Sequence, residues 1–381
     1  MESRQHQTKG GFQMRIKETI VSTVKDVNKI SKKHGYNKYI KKYSLEKMFM
    51  FLLHQQYSGI SYGRAFTVYL RQMIGDTTDV ISQSELSKKM SHRLPVEAFK
   101  EMYKILYHQT RSKKMKKKIS RMIRIIDSTA LPATPSMDYA KHRSNMNGFK
   151  MHTVVDENYL PETIKIKNGR SSDKKSLKWC IKEGYVHIFD RGYNDYKQFH
   201  WISDKKAFFV TRALSNIKYT LIRNRKVGRK QKEDGIISDK YIEVIEDRKT
   251  GARLRIRMIT FEFIDSTDTY HEFSLLTNVM DLRSDEIAQL YRERWNIEVT
   301  FRWLKTFLKI KHWLSRSKNG VLIQIYMALC AYLMAVLAKM GNEKKYHIMK
   351  DSIYEFIKEL EIVLMIFEKG SNIEDIVAES S

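Results

Sequence analysis

The segment Tyr291–Lys305, YRERWNIEVTFRWLK, sets arginines and a lysine around one glutamate, Glu298. On a helix each residue turns by about 100°, so with Tyr291 at zero Arg294 falls near −60°, Glu298 near −20° and Lys305 near −40°. The four share one narrow strip, beside an apolar stripe of Leu290, Ile297, Phe301, Leu304 and Leu308 that suits a core-facing helix. On its own, such a strip is readable as an ordinary i,i+4 and i,i+7 salt-bridge face. Two further acids have comparable settings: MIRIID ends in Asp127 and YVHIFD ends in Asp190, each closing an apolar, β-branched run. Clustered carboxylates repel unless divalent cations neutralise them, and hard oxygen ligands suit magnesium or manganese. Two such ions can activate an attacking oxygen and stabilise a leaving oxygen in phosphodiester displacement. Asp138, Asp156, Asp173 and Asp195 lie nearby in sequence, but Asp156 suits a hairpin turn and Asp173 the first turn of a helix. Asp127 alone reads as a capped strand end; the three acids together say more.

The elements that must position these acids follow from pattern. FKMHTVVD and ETIKIKNG alternate as strands about the turn ENYLP. SSDKKSLKWCIKEG reads as a helix capped by Ser171 or Ser172 and stopped at Gly184. YVHIFD and AFFVTR read as strands with the helix NDYKQFHWISDKK between them. Three strands, a helix, a strand, a helix and a strand is the order of a ribonuclease-H-like α/β core, in which adjacent parallel strands ending together bring Asp127 and Asp190 close. From Leu214, Lys/Arg/Gly-rich loops flank alternating strands such as YIEVIED and ARLRIRMITFEFID, which reads as a β-rich insertion. FSLLTNV then leads through Ser284, Asp285 and Glu286, a good helix start, into the Glu298 segment.

Composition sets the partner class. The 381 residues carry a formal net charge of +27, which favours polyanions and above all nucleic acid. Residues 1–126 hold 27 Lys and Arg against 9 Asp and Glu, so most of the excess lies in the first third. There SLEKMFMFLLHQQY, SQSELSKKM (capped by Ser82 or Ser84) and PVEAFKEMYKILYHQT (opened by Pro95) read as helices of a helix-turn-helix type. RSKKMKKK, Arg111–Lys118, reads as a solvated linker or a phosphate contact. Two cysteines, Cys180 and Cys330, are too few for a disulfide framework and suit a reducing cytosol. The N-terminus lacks the apolar run of a signal peptide, and Val321–Ala338 reads as a buried helix. The expected location is therefore the cytoplasm.

Tyr, two residues, Arg, three residues, Glu, six residues, Lys is the C-terminal signature of the DDE transposases of the insertion-sequence-four family. Tyr291, Arg294, Glu298 and Lys305 stand at those spacings. IIDSTAL resembles the family's first-aspartate strand and FDRGYND its second. ISQSELSKKMSHRLPVEAF and LKIKHWLSRSKNGVLIQIYMALCAYL resemble its flanking regions, so the likeness runs from about residue 45 to 340. It implies a metal triad of Asp127, Asp190 and Glu298 holding two Mg2+ or Mn2+ ions. It assigns Tyr291, Arg294 and Lys305 to DNA-backbone contacts around the cleaved end, and it implies a homodimer in the synaptic complex. Two positions depart. Where some relatives have a Trp that stacks on a flipped base, this chain has Phe273, and where many have His before the acid at Asp173 it has Ser172. The hairpin route is thereby left open.

The resulting division is a basic helical DNA-binding region at 1–118, a first core segment at 119–213, the β-rich insertion at 214–280, core completion with the Glu298 helix at 281–340, and a helical tail at 341–381. The expected function is cut-and-paste transposition: binding of terminal inverted repeats, metal-dependent cleavage and strand transfer into target DNA. Two other readings compete with it, a catalytically silent DNA-binding derivative and a ribonuclease-H-like nuclease without strand transfer.

Overall fold

Among the described residues, strands dominate the middle of the chain, with helices before and after them. The computed structural model describes residues 2–40, 43–58, 81–113, 122–134, 136–143, 146–247, 249–264, 268–295, 297–298, 301 and 313–339. In chain order these form α1 (Glu2–His34), α2 (Leu45–Ser58), α3 (Gln83–Lys88), α4 (Val96–Lys113), β1 (Ile123–Pro132), β2 (Lys141–Arg143), β3 (Met146–Asp156), β4 (Pro161–Asn168), α5 (Asp173–Leu177) and β5 (Val186–Phe189). There follow α6 (Tyr196–Asp204), β6 (Phe208–Arg212), β7 (Thr220–Asn224), α7 (Arg229–Glu233), β8 (Ile236–Asp247), β9 (Ala252–Ile264), β10 (Tyr270–Thr277), α8 (Ser284–Arg292) and α9 (Lys318–Lys339).

Two compact units result. One comprises Met1–Met115, Pro132–Tyr139 and Arg302–Ser381, the other Lys116–Leu131 and Ala140–Phe301. In the first, α9 is long and apolar enough to span a bilayer, yet most of it is buried inside the structure. It packs on α1, α2 and α4. Polar side chains fix its seat: Tyr57 donates its hydroxyl to the Ala331 carbonyl at 2.7 Å, and Asn319 Nδ2 donates to the carbonyls of Met90 and Leu94. The sequence grouping placed this helix with the core at 281–340. A helix apolar all round shows no preferred face, and its partners here are the N-terminal helices. Ser82 caps α3 by accepting the Glu85 amide.

The second unit is a mixed α/β layer built on one ten-stranded sheet in the order β2-β3-β1-β5-β6-β10-β9-β8-β7, with β4 also paired to β3. β1, β5 and β6 run parallel, while β6–β10, β10–β9, β9–β8 and β8–β7 are antiparallel. The segment read as an insertion therefore continues the central sheet, because β10 completes the open edge of β6. One face packs Ile126, Val154, Phe189, Phe209, Ile242 and Val244 against Phe199 and Ile202 of α6. Strand alternation sends their neighbours to the other face, where α8 meets β6, β8 and β9.

Candidate active site

Register sets the site. Ile126 pairs with Phe189 across β1 and β5, and Phe189 with Thr211 across β5 and β6. The next residues, Asp127, Asp190 and Arg212, thus stand in a row across three parallel strands. Ile126 and Phe189 belong to the α6-side cluster, so Asp127 and Asp190 project from the opposite face. The structure brings the two aspartates together as their strands require. One detail differs from a strand-end placement: β1 continues to Pro132 alongside β3, so Asp127 lies where β5 parts from it. Each aspartate is oriented the same way. Asp127 Oδ1 accepts the Ser128 amide at 2.7 Å, and Asp190 Oδ1 accepts the Arg191 amide at 2.7 Å. In both, Oδ2 is turned away from that bond.

Glu298 arrives on a broken helix. α8 ends at Arg292, the chain turns at Glu293 and Arg294, and helical residues resume at Trp295, Ile297, Glu298 and Phe301. The bonds Arg294 N to Tyr291 O and Ile297 N to Arg294 O span three residues, a tightened turn in place of the continuous helix assumed from spacing. Arg294 is thereby swung inward. Its guanidinium lies 3.3 Å from Glu298 Oε1, 3.8 Å from Asp127 Oδ2 and 5.8 Å from the Tyr291 ring centroid. The salt bridge expected of an ordinary helix face is present, and it reaches the strand carboxylate as well. Lys305 lies outside the described residues.

The electrostatics report the same cluster. Burial pushes Asp127 up to about 6, and the neighbouring charges of Asp190 and Glu298 push the same way against the Ser128 amide and Arg294. Arg294 is disfavoured by burial but held above its ordinary range by Tyr291, Asp127, Asp190 and Glu298. Burial raises the Tyr291 hydroxyl. Tyr291 is only 2% exposed and packs edge-on to Phe273. Phe273 is half-buried, with Phe261 at 4.5 Å, Phe263 at 5.7 Å and the Arg212 guanidinium at 4.6 Å from its ring. Its ring is enclosed by protein on several sides.

Two features escaped the sequence reading. Arg212 ends a third parallel strand beside the two that carry Asp127 and Asp190, and AFFVTR closing in a cation was the available signal. Asp173 does lie in the first turn of a helix, α5, and beyond that reading it accepts the Ser128 hydroxyl at 2.9 Å and Lys150 Nζ at 2.6 Å on the sheet face away from Asp127. Asp156 and Asp195 do serve as caps, accepting the amides of Asn158 and Leu160, and of Lys197 and Gln198. The side chain of Asp138 lies outside the described residues.

Comparison with known proteins gives these positions a context. Residues 118–334 match the family model described as the transposase DDE domain, a span that contains Asp127, Asp190 and Glu298. The chain belongs to this transposase family. A protein of Sinorhizobium fredii named as a transposase, y4zB, is 32% identical over 66% of this chain and 70% of its own length. Proteins named as transposases of insertion sequence elements IS5377, from Geobacillus stearothermophilus, and IS4SA, from Synechocystis, are 21% and 25% identical over 66% and 71% of this chain. They are matched over 66% and 74% of their own lengths.

The family implies divalent metal. The donor set fits in kind: three carboxylates and no competing thiol or imidazole in the row. Among the described residues, however, no three such groups converge closely enough to form a ready cage. Arg294 stands between Asp127 and Glu298, supplying the positive charge that three neighbouring acids require.

Proposed function

We propose that this chain is an insertion-sequence transposase that binds terminal inverted repeats and cuts and rejoins DNA at Asp127, Asp190 and Glu298. The observation that carries the reading is the strand register that stands Asp127 and Asp190 side by side, with the field of Glu298 acting on the half-buried Asp127 carboxyl. The strand order β4-β3-β1-β5-β6 supports a ribonuclease-H-like core, extended by the insertion's strands. Asp127, Asp190 and Glu298 would hold Mg2+ or Mn2+, two ions in the family's manner, whose chemistry there would be to polarise the phosphodiester and activate the attacking oxygen. The chain's own residues supply the rest. The Ser128 and Arg191 amides fix one oxygen of each aspartate and so hold the ligating geometry. Arg212, in the row beside Asp190, and Arg294 orient the scissile strand; Lys305, seven residues after Glu298 in the sequence, is assigned to the same strand. Recognition of the repeats falls to the basic helices within residues 1–118, and two copies hold two ends during exchange into a target. Such work places the protein with the bacterial nucleoid.

The Arg294 bridge favours a second reading, a DNA-binding derivative that no longer cuts. One experiment separates the two. Wild type, Asp190→Asn and Glu298→Gln are given a labelled terminal-repeat duplex with Mg2+. Cutting by wild type alone, with all three binding the duplex, is the expected result. Binding without cutting by wild type establishes the silent derivative, and cutting by either variant overturns the triad.

A further inference from the structure

Residues 214–232 contain seven Lys or Arg and no Asp or Glu. They include β7, the edge strand, whose five residues are all exposed. Arg223 and Arg225 lie over one ring, Tyr241, at 5.1 and 5.2 Å from its centroid. Arg225 is pinned there, donating to the Tyr241 hydroxyl at 2.9 Å and the Met280 carbonyl at 3.0 Å. Arg223 and Tyr241, with Arg255, which is exposed, border a groove lined also by Ile222, Ile256 and Met280.

Folding alone gives no reason for this crowding. Like charges around one ring repel, and the acids of this face are already shared: Asp239 by Arg257 and Arg225, Glu243 by Arg253 and Arg255. Among the described residues Arg223, Lys218, Lys226, Lys230 and Lys232 have no carboxylate within ion-pair distance. A guanidinium laid on an aromatic face keeps a fixed plane with its N–H edge outward, which is the arrangement that grips a phosphate. The missing charge partner is a polyanion.

Position says which part of it. Tyr241 alternates with Ile242 and Val244, which join the α6-side cluster, so it shares the opposite face with Asp127. From β1 to β7 the sheet takes six steps, through β5, β6, β10, β9 and β8. At about 4.8 Å per step that is roughly 29 Å. Duplex DNA rises about 3.4 Å per base pair, so the span is roughly eight to nine base pairs. We propose that the Arg223–Tyr241–Arg255 groove is a second backbone-binding site for terminal-repeat duplex, its outer edge at Arg223 lying roughly eight to nine base pairs from the phosphodiester at Asp127 and Asp190. The repeat side is the one assigned, because its phosphates stay with the protein whatever sequence flanks the element. This inference rests on the transposase reading above.

The test uses full-length protein, Arg223→Glu, and Lys178→Glu as a control of equal charge change elsewhere. Hydroxyl-radical footprints are taken on a terminal-repeat duplex in EDTA, with affinity measured across a salt series. Arg223→Glu is expected to lose protection in the eight-to-nine-base-pair window and to flatten the salt slope by about one. It should still bind a duplex truncated to six base pairs inside the cut as wild type does, and Lys178→Glu should keep the full footprint. Protection unchanged in Arg223→Glu, or lost only on the flanking side, overturns this assignment alone. A wild type with no footprint on the repeat overturns the transposase reading and this one with it. Both variants change exposed side chains, and matching thermal melts show that folding is not what was measured.

Discussion

Asp127→Asn should make the metal-free protein more stable while abolishing its chemistry. Folding raises the carboxyl from 3.8 to about 6, chiefly through burial and then through Asp190 and Glu298. A rise of that size means the ionised form costs the folded state roughly 3 kcal/mol at neutral pH. Asparagine keeps an oxygen for the Ser128 amide and sheds the charge. For a unit of this size each kcal/mol moves the midpoint by roughly 2–4 °C, so the variant should melt several degrees higher in EDTA at pH 7.5. The pH dependence is the sharper test. Because the folded carboxyl holds its proton more tightly than the unfolded one, wild-type stability falls as pH rises from about 4 to about 6, while the variant lacks this loss. The two should converge below pH 4 and separate fully above pH 6, in melts run in EDTA across that range. Mg2+ should raise the wild-type midpoint and leave the variant's unchanged. A variant no more stable than wild type at pH 7.5, or equally stabilised at pH 4, refutes the half-buried, crowded carboxylate.

Arg294→Gln removes the cation that restrains Asp127, so the acidic limb of the cleavage-rate profile should move upward, and single-turnover nicking should slow by a factor of about 100 or more. Arg257→Met leaves the buried Asp239, which the fully buried Arg257 grips at 2.6 and 2.8 Å, with only the longer 3.6 Å contact to Arg225, and should cost about 3–5 kcal/mol in urea melts. Gly235→Ala places a methyl 2.4 Å from the Glu262 carbonyl oxygen at a φ of 88°, and should lower stability by about 1–3 kcal/mol in the same assay.

The aspartates were legible because a parallel core strand closing in an acid is unusual chemistry, and register then does the pairing. Glu298 was legible as a residue but not as a geometry. Spacing of 100° assumes an unbroken helix, whereas three carboxylates draw Arg294 inward and the chain tightens at 293–294. Alternation identified the strands of 214–280 without naming their partner, since an exposed face reads alike beside any neighbour. α9 gave no partner for the opposite reason: a helix apolar all round points nowhere. Arg212 was overlooked because a cation at a strand end usually meets solvent.

The seat of α9 also has a consequence for how the protein is made. The hydrogen bond from Tyr57 to Ala331 joins residues 274 apart. At roughly 5–20 residues per second, a ribosome needs about 15–55 s to deliver the second after the first. Throughout that interval the N-terminal helices have left the tunnel without the apolar rod that fills their centre, while the sheet, encoded between them, has everything it needs. The N-terminal helices therefore complete their packing only after the sheet, although they emerge first.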